Sequence, residues 1–298
     1  MGEALTAAEV RRRYGAPEAI RLKADVHATL AWVEGAEAAV LHVAQEPDDL
    51  PRHGPPLVGR GLLSRLPSPL GPLVVRENRK GGLFRFVRGD RFRGRYRPLD
   101  ELVLLRRLAG AGVPVPEAVG AVILGGPGGW RGFLLTREVE DAVDLEAYLY
   151  GRANGLPAGR REVLELAGRV VRRLHDEGVS HADLHPKNLL LDPHSDRVLV
   201  IDLDRARAHD SPLDDEARLS NLARLGRAVE KHRLRGMSVG RREALRFLGG
   251  YAGEPAEGAR LLERVRARLL PGLPFHVLWW RVTGQTKGRG SAGGEAAA

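Results

Sequence analysis

The stretch His181-Ala182-Asp183-Leu184-His185-Pro186-Lys187-Asn188-Leu189-Leu190-Leu191 is followed by Val198-Leu199-Val200-Ile201-Asp202-Leu203-Asp204. Asp183 and Asn188 lie five residues apart, and Asp202 closes the second apolar run nineteen residues after Asp183. Two short apolar runs bounded by polar turns read as a hairpin, so the three polar side chains belong to one loop and the hairpin that follows it. Moving a γ-phosphoryl group to a hydroxyl requires a held triphosphate, divalent metal to neutralise it, and a group that orients the hydroxyl and takes its proton. In this pattern Asp183 is the candidate base. Asn188 offers an amide oxygen to one metal ion, and Asp202 offers a carboxylate bridging metal and phosphates. Hard oxygen ligands suit Mg²⁺. Lys187 stands between base and amide, where a cation balances the transferring group, and Pro186 stiffens the loop.

Other readings exist for each residue alone. Asp and Asn favour turns through their own side chains, and Asp202 could cap the turn after its strand. His181, Asp183 and His185 could form a metal-hydrolase cluster, but the chain supplies no second ligand group of comparable density, and that reading leaves the hairpin ending in Asp202 unexplained. Phosphoryl transfer accounts for the ensemble.

Upstream, Gly59-Arg60-Gly61 sits in a glycine-bearing turn whose backbone N–H groups could lie over phosphates. Leu73-Val74-Val75-Arg76 reads as a strand ending in a cation, where a kinase-like fold puts the group that pairs with phosphates. Arg in place of Lys keeps the charge and changes the geometry. Arg79 and Lys80, ahead of Gly81-Gly82, compete for the same task. Residues 97–108 have a helical apolar period, and Glu101 within them is a candidate partner for Arg76. Residues 119–124 and 132–136 read as a hairpin across a glycine-rich turn. Arg137-Glu138-Val139-Glu140 then leaves the second strand as a linker, and the backbone of Glu138 and Val139 could bond an adenine.

The remaining chain divides by character. Residues 1–20 carry a weak helical pattern. Ala28-Thr29-Leu30-Ala31-Trp32-Val33 and Ala39-Val40-Leu41-His42-Val43 fit strands or a mixed segment. Beyond the linker, helices are expected at residues 145–150, 161–177, 219–232, 241–249 and 258–269. Phe275-His276-Val277-Leu278-Trp279-Trp280 reads as packing against the helical part, with membrane-interface contact as the sharper alternative. Residues 284–298 read as a disordered tail. The expected fold is α+β with two lobes: a β-rich nucleotide-binding lobe with an N-terminal extension over 1–138, and a mainly helical catalytic lobe over 139–283.

Composition sets limits on this reading. With no cysteine among 298 residues, a disulfide framework and any Cys-ligated metal are excluded. A net charge of +9 suits anionic lipid or phosphorylated substrates, and equally an arginine-rich codon bias. Aromatics at 5% argue against a single-stranded nucleic-acid surface. Residues 1–14 lack the apolar core of a signal peptide, and no run approaches the roughly 18 apolar residues of a membrane span. A cytoplasmic protein with peripheral contact at the inner membrane is expected.

These patches together resemble the bacterial lipopolysaccharide sugar kinases, most closely the 3-deoxy-D-manno-octulosonic acid (Kdo) kinases. The resemblance is carried by Val75 through Gly82, by residues 98–116 with Glu101 and Val113-Pro114-Val115-Pro116, by His181 through Leu190, and by Ile201-Asp202-Leu203-Asp204-Arg205-Ala206. Asn221-Leu222-Ala223-Arg224-Leu225 through Lys231 also matches. The catalytic-loop motif is shared with heptose kinases and with aminoglycoside or choline phosphotransferases. Asp204 stands where protein kinases carry Gly, and the DFG-type Phe is absent. His185 stands where relatives often have Asn. The resemblance implies a protein-kinase-like fold and ATP-dependent phosphorylation of the 4-hydroxyl of Kdo on a lipid A precursor. The alternatives are a heptose kinase, an aminoglycoside-type phosphotransferase, or a pseudokinase-like binding module.

Overall fold

A computed structural model describes residues 20–25, 27–50, 63–78, 96–126, 129–151 and 159–271. The expectations for residues 1–19, Gly59-Arg60-Gly61, Arg79-Lys80-Gly81-Gly82, residues 275–280 and the tail at 284–298 fall outside these. The chain divides into two compact units, Met1–Val139 with Leu203–Arg205, and Glu140–Asp202 with Ala206–Ala298.

In the first unit the strands are β1 (Arg21–Ala24), β2 (Ala28–Trp32), β3 (Leu63–Leu66), β4 (Leu73–Glu77), β5 (Ala118–Gly126) and β6 (Gly129–Arg137). They form one antiparallel sheet in the order β1-β2-β5-β6-β4-β3. Two helices accompany them, α1 (Glu37–Gln45) and α2 (Arg97–Gly110). Alternation places Leu73 and Val75 of β4 in the core with Phe133 and Leu135 of β6, as a strand's period of two requires. Arg76, on the other face of β4, stands opposite Leu134 in the register. The run at 28–33 is a strand, whereas that at 39–43 is helical: Ala39, Val40 and Val43 bury one face of α1 against the sheet. The β5–β6 hairpin runs deeper into the glycine-rich stretch than expected, pairing Gly126 with Gly129. Pro98 begins α2 at its first turn, where its missing N–H costs nothing. Leu99, Leu102, Leu105 and Leu108 of this helix are buried.

The second unit is mainly helical, with α3 (Leu145–Leu149), α4 (Arg160–Asp176), α5 (Asp215–Arg233), α6 (Arg241–Ala252) and α7 (Pro255–Leu269). Its short strands are β7 (Val143–Asp144), β8 (Val179–Ser180), β9 (Leu189–Asp192), β10 (Arg197–Val200) and β11 (Arg207–Ala208). The expected hairpin is the β9–β10 pair, to which β7 adds a third strand, and β8 pairs with β11. Asp144 caps α3 by accepting the Ala147 N–H at 2.8 Å, and Asp214 caps α5 by accepting that of Ala217 at 2.8 Å. Helix α4 buries Val163, Ala167, Val170, Val171 and Leu174 on one stripe. It meets α6 backbone to backbone: a Cβ on Gly168 would stand 2.0 Å from the Phe247 carbonyl oxygen, and one on Gly250 would stand 2.2 Å from that of Glu165. Gly178, at φ +71°, turns the chain from α4 into β8. Among the described residues no helix is long and apolar enough to cross a membrane.

Candidate active site

In the second unit β8 delivers the chain into the loop that begins at His181. His181 is buried and both ring nitrogens are used. Its Nδ1 accepts the Asp183 N–H at 3.1 Å, which leaves the proton on Nε2, 3.0 Å from the Ile201 carbonyl oxygen. Burial holds this imidazole below the ordinary histidine range, against that hydrogen bond. One side chain therefore fixes the backbone at Asp183 and at the residue before Asp202.

His185 repeats the device. Its Nδ1 accepts the Lys187 N–H at 3.1 Å and opens a short 3₁₀ turn, Pro186–Asn188. The Nε2 proton then lies on the side of Asp183, 3.5 Å from Oδ2. Asp183 itself is 65% exposed. The hydrogen bond from His185 lowers its pKa against a partial desolvation that would raise it, so the group is a carboxylate at neutral pH. With both rings holding the loop, the metal-hydrolase alternative fails: a ligating imidazole needs a free lone pair, and His181 and His185 have given their Nδ1 lone pairs to backbone N–H groups. No group of three or more His, Asp or Glu suited to a metal occurs among the described residues.

Asn188 is buried, and its Nδ2 donates to the Asp183 carbonyl at 3.0 Å. That assignment leaves the amide oxygen as the acceptor a hard cation would use. The Ile201 N–H donates to the Asn188 carbonyl at 3.0 Å, which ties Asp202 to the same end of the hairpin. Asp202 adopts φ +64°. Asp and Asn are among the few side chains that enter this left-handed region, and Asp141 and Asp196 adopt it here too. Lys187 reaches Glu146 of α3, Nζ to Oε1 at 3.4 Å. The other Glu146 oxygen lies 3.1 Å from His232 Nε2.

The loop is also held from behind. Asn221 of α5 donates from Nδ2 to the His181 carbonyl at 2.7 Å, and its Oδ1 accepts the His181 N–H at 3.2 Å. The same Oδ1 stands 3.0 Å from His175 Nε2, and His175 Nδ1 stands 2.8 Å from the Tyr251 hydroxyl. The two donors facing Oδ1 fix the orientation of the amide. Burial pushes His175 down to about 4, so it is neutral and its Nε2–H donates. Sequence reasoning noticed Asn221 only as part of a resembling patch and missed Glu146, His175, His232 and Tyr251. The signal for Asn221 was a polar residue among the buried Leu222, Ala223 and Leu225 of its helix.

In the first unit Arg76 and Glu101 form an ion pair, as the strand-cation, helix-acid order suggests. The other Glu101 oxygen accepts the Leu203 N–H at 3.0 Å, directly after Asp202 in the chain. Arg97 reaches Asp204 at 3.9 Å. In the linker, the Glu138 N–H is given to the Pro72 carbonyl at 2.9 Å and its carboxylate pairs with Arg65 at 2.6 Å.

Residues 74–251 match the lipopolysaccharide kinase (Kdo/WaaP) family. The 3-deoxy-D-manno-octulosonic acid kinase of Xylella fastidiosa (strain M12) is 31% identical over 179 residues, 59% of this chain and 68% of that protein. That of Haemophilus influenzae (strain PittEE) is 33% identical over 166 residues, 53% of this chain and 66% of its own length. That of Xanthomonas campestris pv. campestris (strain B100) is 33% identical over 179 residues, 59% and 68% of the two chains. The chain thus spans about two thirds of the length of these curated relatives. Among solved structures, WaaP in complex with acyl carrier protein covers 90% of this chain with 98% of its own, at a TM-score of 0.50 and 23% identity. That likeness supports the kinase-like α+β fold. From the match over 74–251 and the identity to three kinases, the chain belongs to the lipopolysaccharide kinase (Kdo/WaaP) family and is an ATP-dependent phosphotransferase.

Proposed function

We propose that this protein transfers the γ-phosphoryl group of ATP to a hydroxyl of Kdo carried on a lipid A precursor, at the cytoplasmic face of the inner membrane. The observation that carries the chemistry is Asp183: an exposed carboxylate, steered by His185 and fixed through its own N–H by His181. A carboxylate held below its ordinary range is a weak base, so its main contribution is to orient the acceptor hydroxyl and to take the proton late, as bonding to phosphorus develops. Asn188 and Asp202 supply hard oxygen donors of the kind Mg²⁺ takes, and Mg²⁺ when bound would neutralise the phosphate oxygens. Lys187, anchored by Glu146, adds positive charge next to the base. Arg76 and the sequence Gly59-Arg60-Gly61 are read as phosphate contacts, with Glu101 orienting Arg76. Because the Glu138 N–H is taken by Pro72, an adenine would be read by the Glu138 carbonyl and by Val139. The acceptor is argued from the relatives named as Kdo kinases, and the net charge of +9 supports contact with an anionic membrane surface.

The test is transfer of label from [γ-³²P]ATP, with Mg²⁺, to a Kdo-bearing lipid A precursor beside a heptosylated core as comparator. Label is expected on the Kdo acceptor, and Asp183→Ala is expected to lose at least about 100-fold in kcat while still binding ATP. Label on the heptose alone would replace Kdo with a heptose acceptor. Full transfer by Asp183→Ala would remove Asp183 from its role.

A further inference from the structure

Glu146 of α3 is a buried carboxylate, 7% exposed, on a short helix whose Leu145 and Leu149 are buried as well. Burying charge costs free energy that an ion pair repays only when hydrogen bonds satisfy the remaining oxygens. Here they do not. Oε1 lies 3.4 Å from Lys187 Nζ, but Oε2 is buried without a hydrogen bond, His232 Nε2 standing 3.1 Å away. Burial holds His232 down to about 4, so its ring is neutral at pH 7, and of these two contacts only that with Lys187 is an ion pair. The Tyr150 hydroxyl keeps the ring in place, 3.2 Å from Nδ1 and donating to the His232 carbonyl at 3.2 Å.

The backbone ties this carboxylate to the loop. Strand β7, which leads into α3, pairs with β9, which leaves the loop, and Asp144 stands opposite Leu190. Glu146 and Asn188 each lie two residues from that pair. Lys187 needs such a fixed point, because an ammonium on a flexible four-carbon stem gives up rotamer freedom to stand in one place. Its backbone N–H is already held by His185 Nδ1 at 3.1 Å, and Glu146 holds the other end. Two other roles compete. Glu146 could simply join α3 to the loop, but a carboxylate with an unsatisfied buried oxygen serves the fold poorly. It could withhold Lys187 from phosphates, but the lysine side chain is 40% exposed within the pair.

We propose that Glu146 is a positioning residue for phosphoryl transfer: from its buried seat it sets the Lys187 ammonium in place on the loop that carries Asp183, before the nucleotide binds. This deepens the reading of Lys187 given above and rests on it.

The experiment measures transfer from [γ-³²P]ATP by the full chain, by Glu146→Gln, Glu146→Met and Lys187→Met, and by Glu146→Gln combined with Lys187→Met. The acceptors are the Kdo-bearing lipid A precursor and, without it, water; urea unfolding is followed alongside. Glu146→Gln and Glu146→Met are expected to lower kcat about 10- to 100-fold, the scale of a charged group displaced by about 1 Å, with the KM for ATP unchanged. The urea midpoint should hold, because the half-exposed Lys187 can turn to water once its partner is gone and a buried ion pair adds little net stability. In the Lys187→Met background, Glu146→Gln should cost no further activity, the coupling that a positioning role requires. An equal loss of kcat with and without Lys187 would make Glu146 merely structural and overturn the proposal, as would a lowered midpoint with unchanged kcat. A rise in kcat would show that Glu146 restrains Lys187 and overturn it too. The same coupling in transfer to water, with no label on the lipid, upholds the positioning role and removes the Kdo acceptor. A wild type that transfers to neither overturns the phosphotransfer reading and the role of Glu146 with it.

Discussion

Replacing Asn221 by Leu keeps the volume and removes the bracket behind the loop. Three groups lose their partner at once: the His181 N–H, the His181 carbonyl and the His175 Nε2–H. All belong to buried residues. A buried polar group left unsatisfied costs about 1–3 kcal/mol. The three share one site and do not add independently, so a loss of about 3–5 kcal/mol is expected, a large part of a domain's typical 5–15 kcal/mol. At a urea m-value of about 3 kcal/mol per molar, the unfolding midpoint of the second unit falls by roughly 1–1.7 M, read by far-UV circular dichroism. The folded fraction loses activity as well, because Asp183 hangs from His181 by its N–H. Misplacing a reacting group by about 1 Å costs on the order of 100-fold in rate, so kcat should fall while the KM for ATP holds. Asn221→Asp separates geometry from charge. It keeps the acceptor for His175 and for the His181 N–H, but sets an oxygen against the His181 carbonyl where Nδ2 had donated across 2.7 Å. Its penalty should therefore grow as pH rises and the new carboxyl ionises. An Asn221→Leu protein with an unchanged midpoint and unchanged kcat would refute the claim that this amide holds the loop.

Acid should weaken the second unit in a defined window. His175 is neutral in the folded state down to about 4 and titrates near 6.5 when unfolded, so the unfolded chain binds the extra proton between those values and stability falls as pH drops through them, by about 3 kcal/mol in all. Urea midpoints at pH 7 and pH 4.5 check this, and the carboxylates lowered by their partners, Asp176 and Asp183, act only at lower pH; a flat midpoint across the window would count against a neutral buried His175. In the first unit, Glu101→Gln removes the Glu101 charge from its ion pair with Arg76 while an amide oxygen can still accept the Leu203 N–H, so kcat should fall by about 10-fold with modest loss of stability. Glu101→Ala also orphans that N–H and should cost about 1–3 kcal/mol more, measured by thermal unfolding.

What could be read from sequence was chemistry confined to a short span of chain. Asp183 and Asn188 lie on one loop, and the hydrogen bond from Asn188 to the Asp183 carbonyl ties the two together across their five-residue spacing. Arg76 and Glu101 were legible at 25 residues' separation because strand and helix order brings such a pair together. The five-residue apolar run at 39–43 was ambiguous, since a short buried strand and one buried face of a helix look alike. Packing decided it, with Ala39, Val40 and Val43 turned to the sheet and His42 left half-exposed. The bracket behind the loop was hidden by distance: Asn221 is 46 residues from His175, and Tyr251 is 76 from it. Nothing local in the sequence couples those positions. His185 stood out from the sequence as a departure, and only the 3₁₀ turn explains it, because an imidazole at that position caps Lys187 and faces Asp183 with one ring.

The three histidines follow one rule, and it bears on how the site works. In each, Nδ1 is turned to a donor: the Asp183 N–H for His181, the Lys187 N–H for His185 and the Tyr251 hydroxyl for His175. Each is then left with a proton on Nε2, facing the Ile201 carbonyl, the Asp183 carboxylate and the Asn221 amide oxygen respectively. Two of the Nδ1 contacts close the same local ring, from a histidine to the N–H two residues on, so the backbone itself selects the tautomer. A loop built this way spends its imidazoles on shape, and in the proposed reaction proton transfer and cation binding would fall to oxygen groups, Asp183, Asn188 and Asp202. That division suits transfer of a phosphoryl group. Positioning and charge stabilisation do most of the work there, and a strong nitrogen base would gain little.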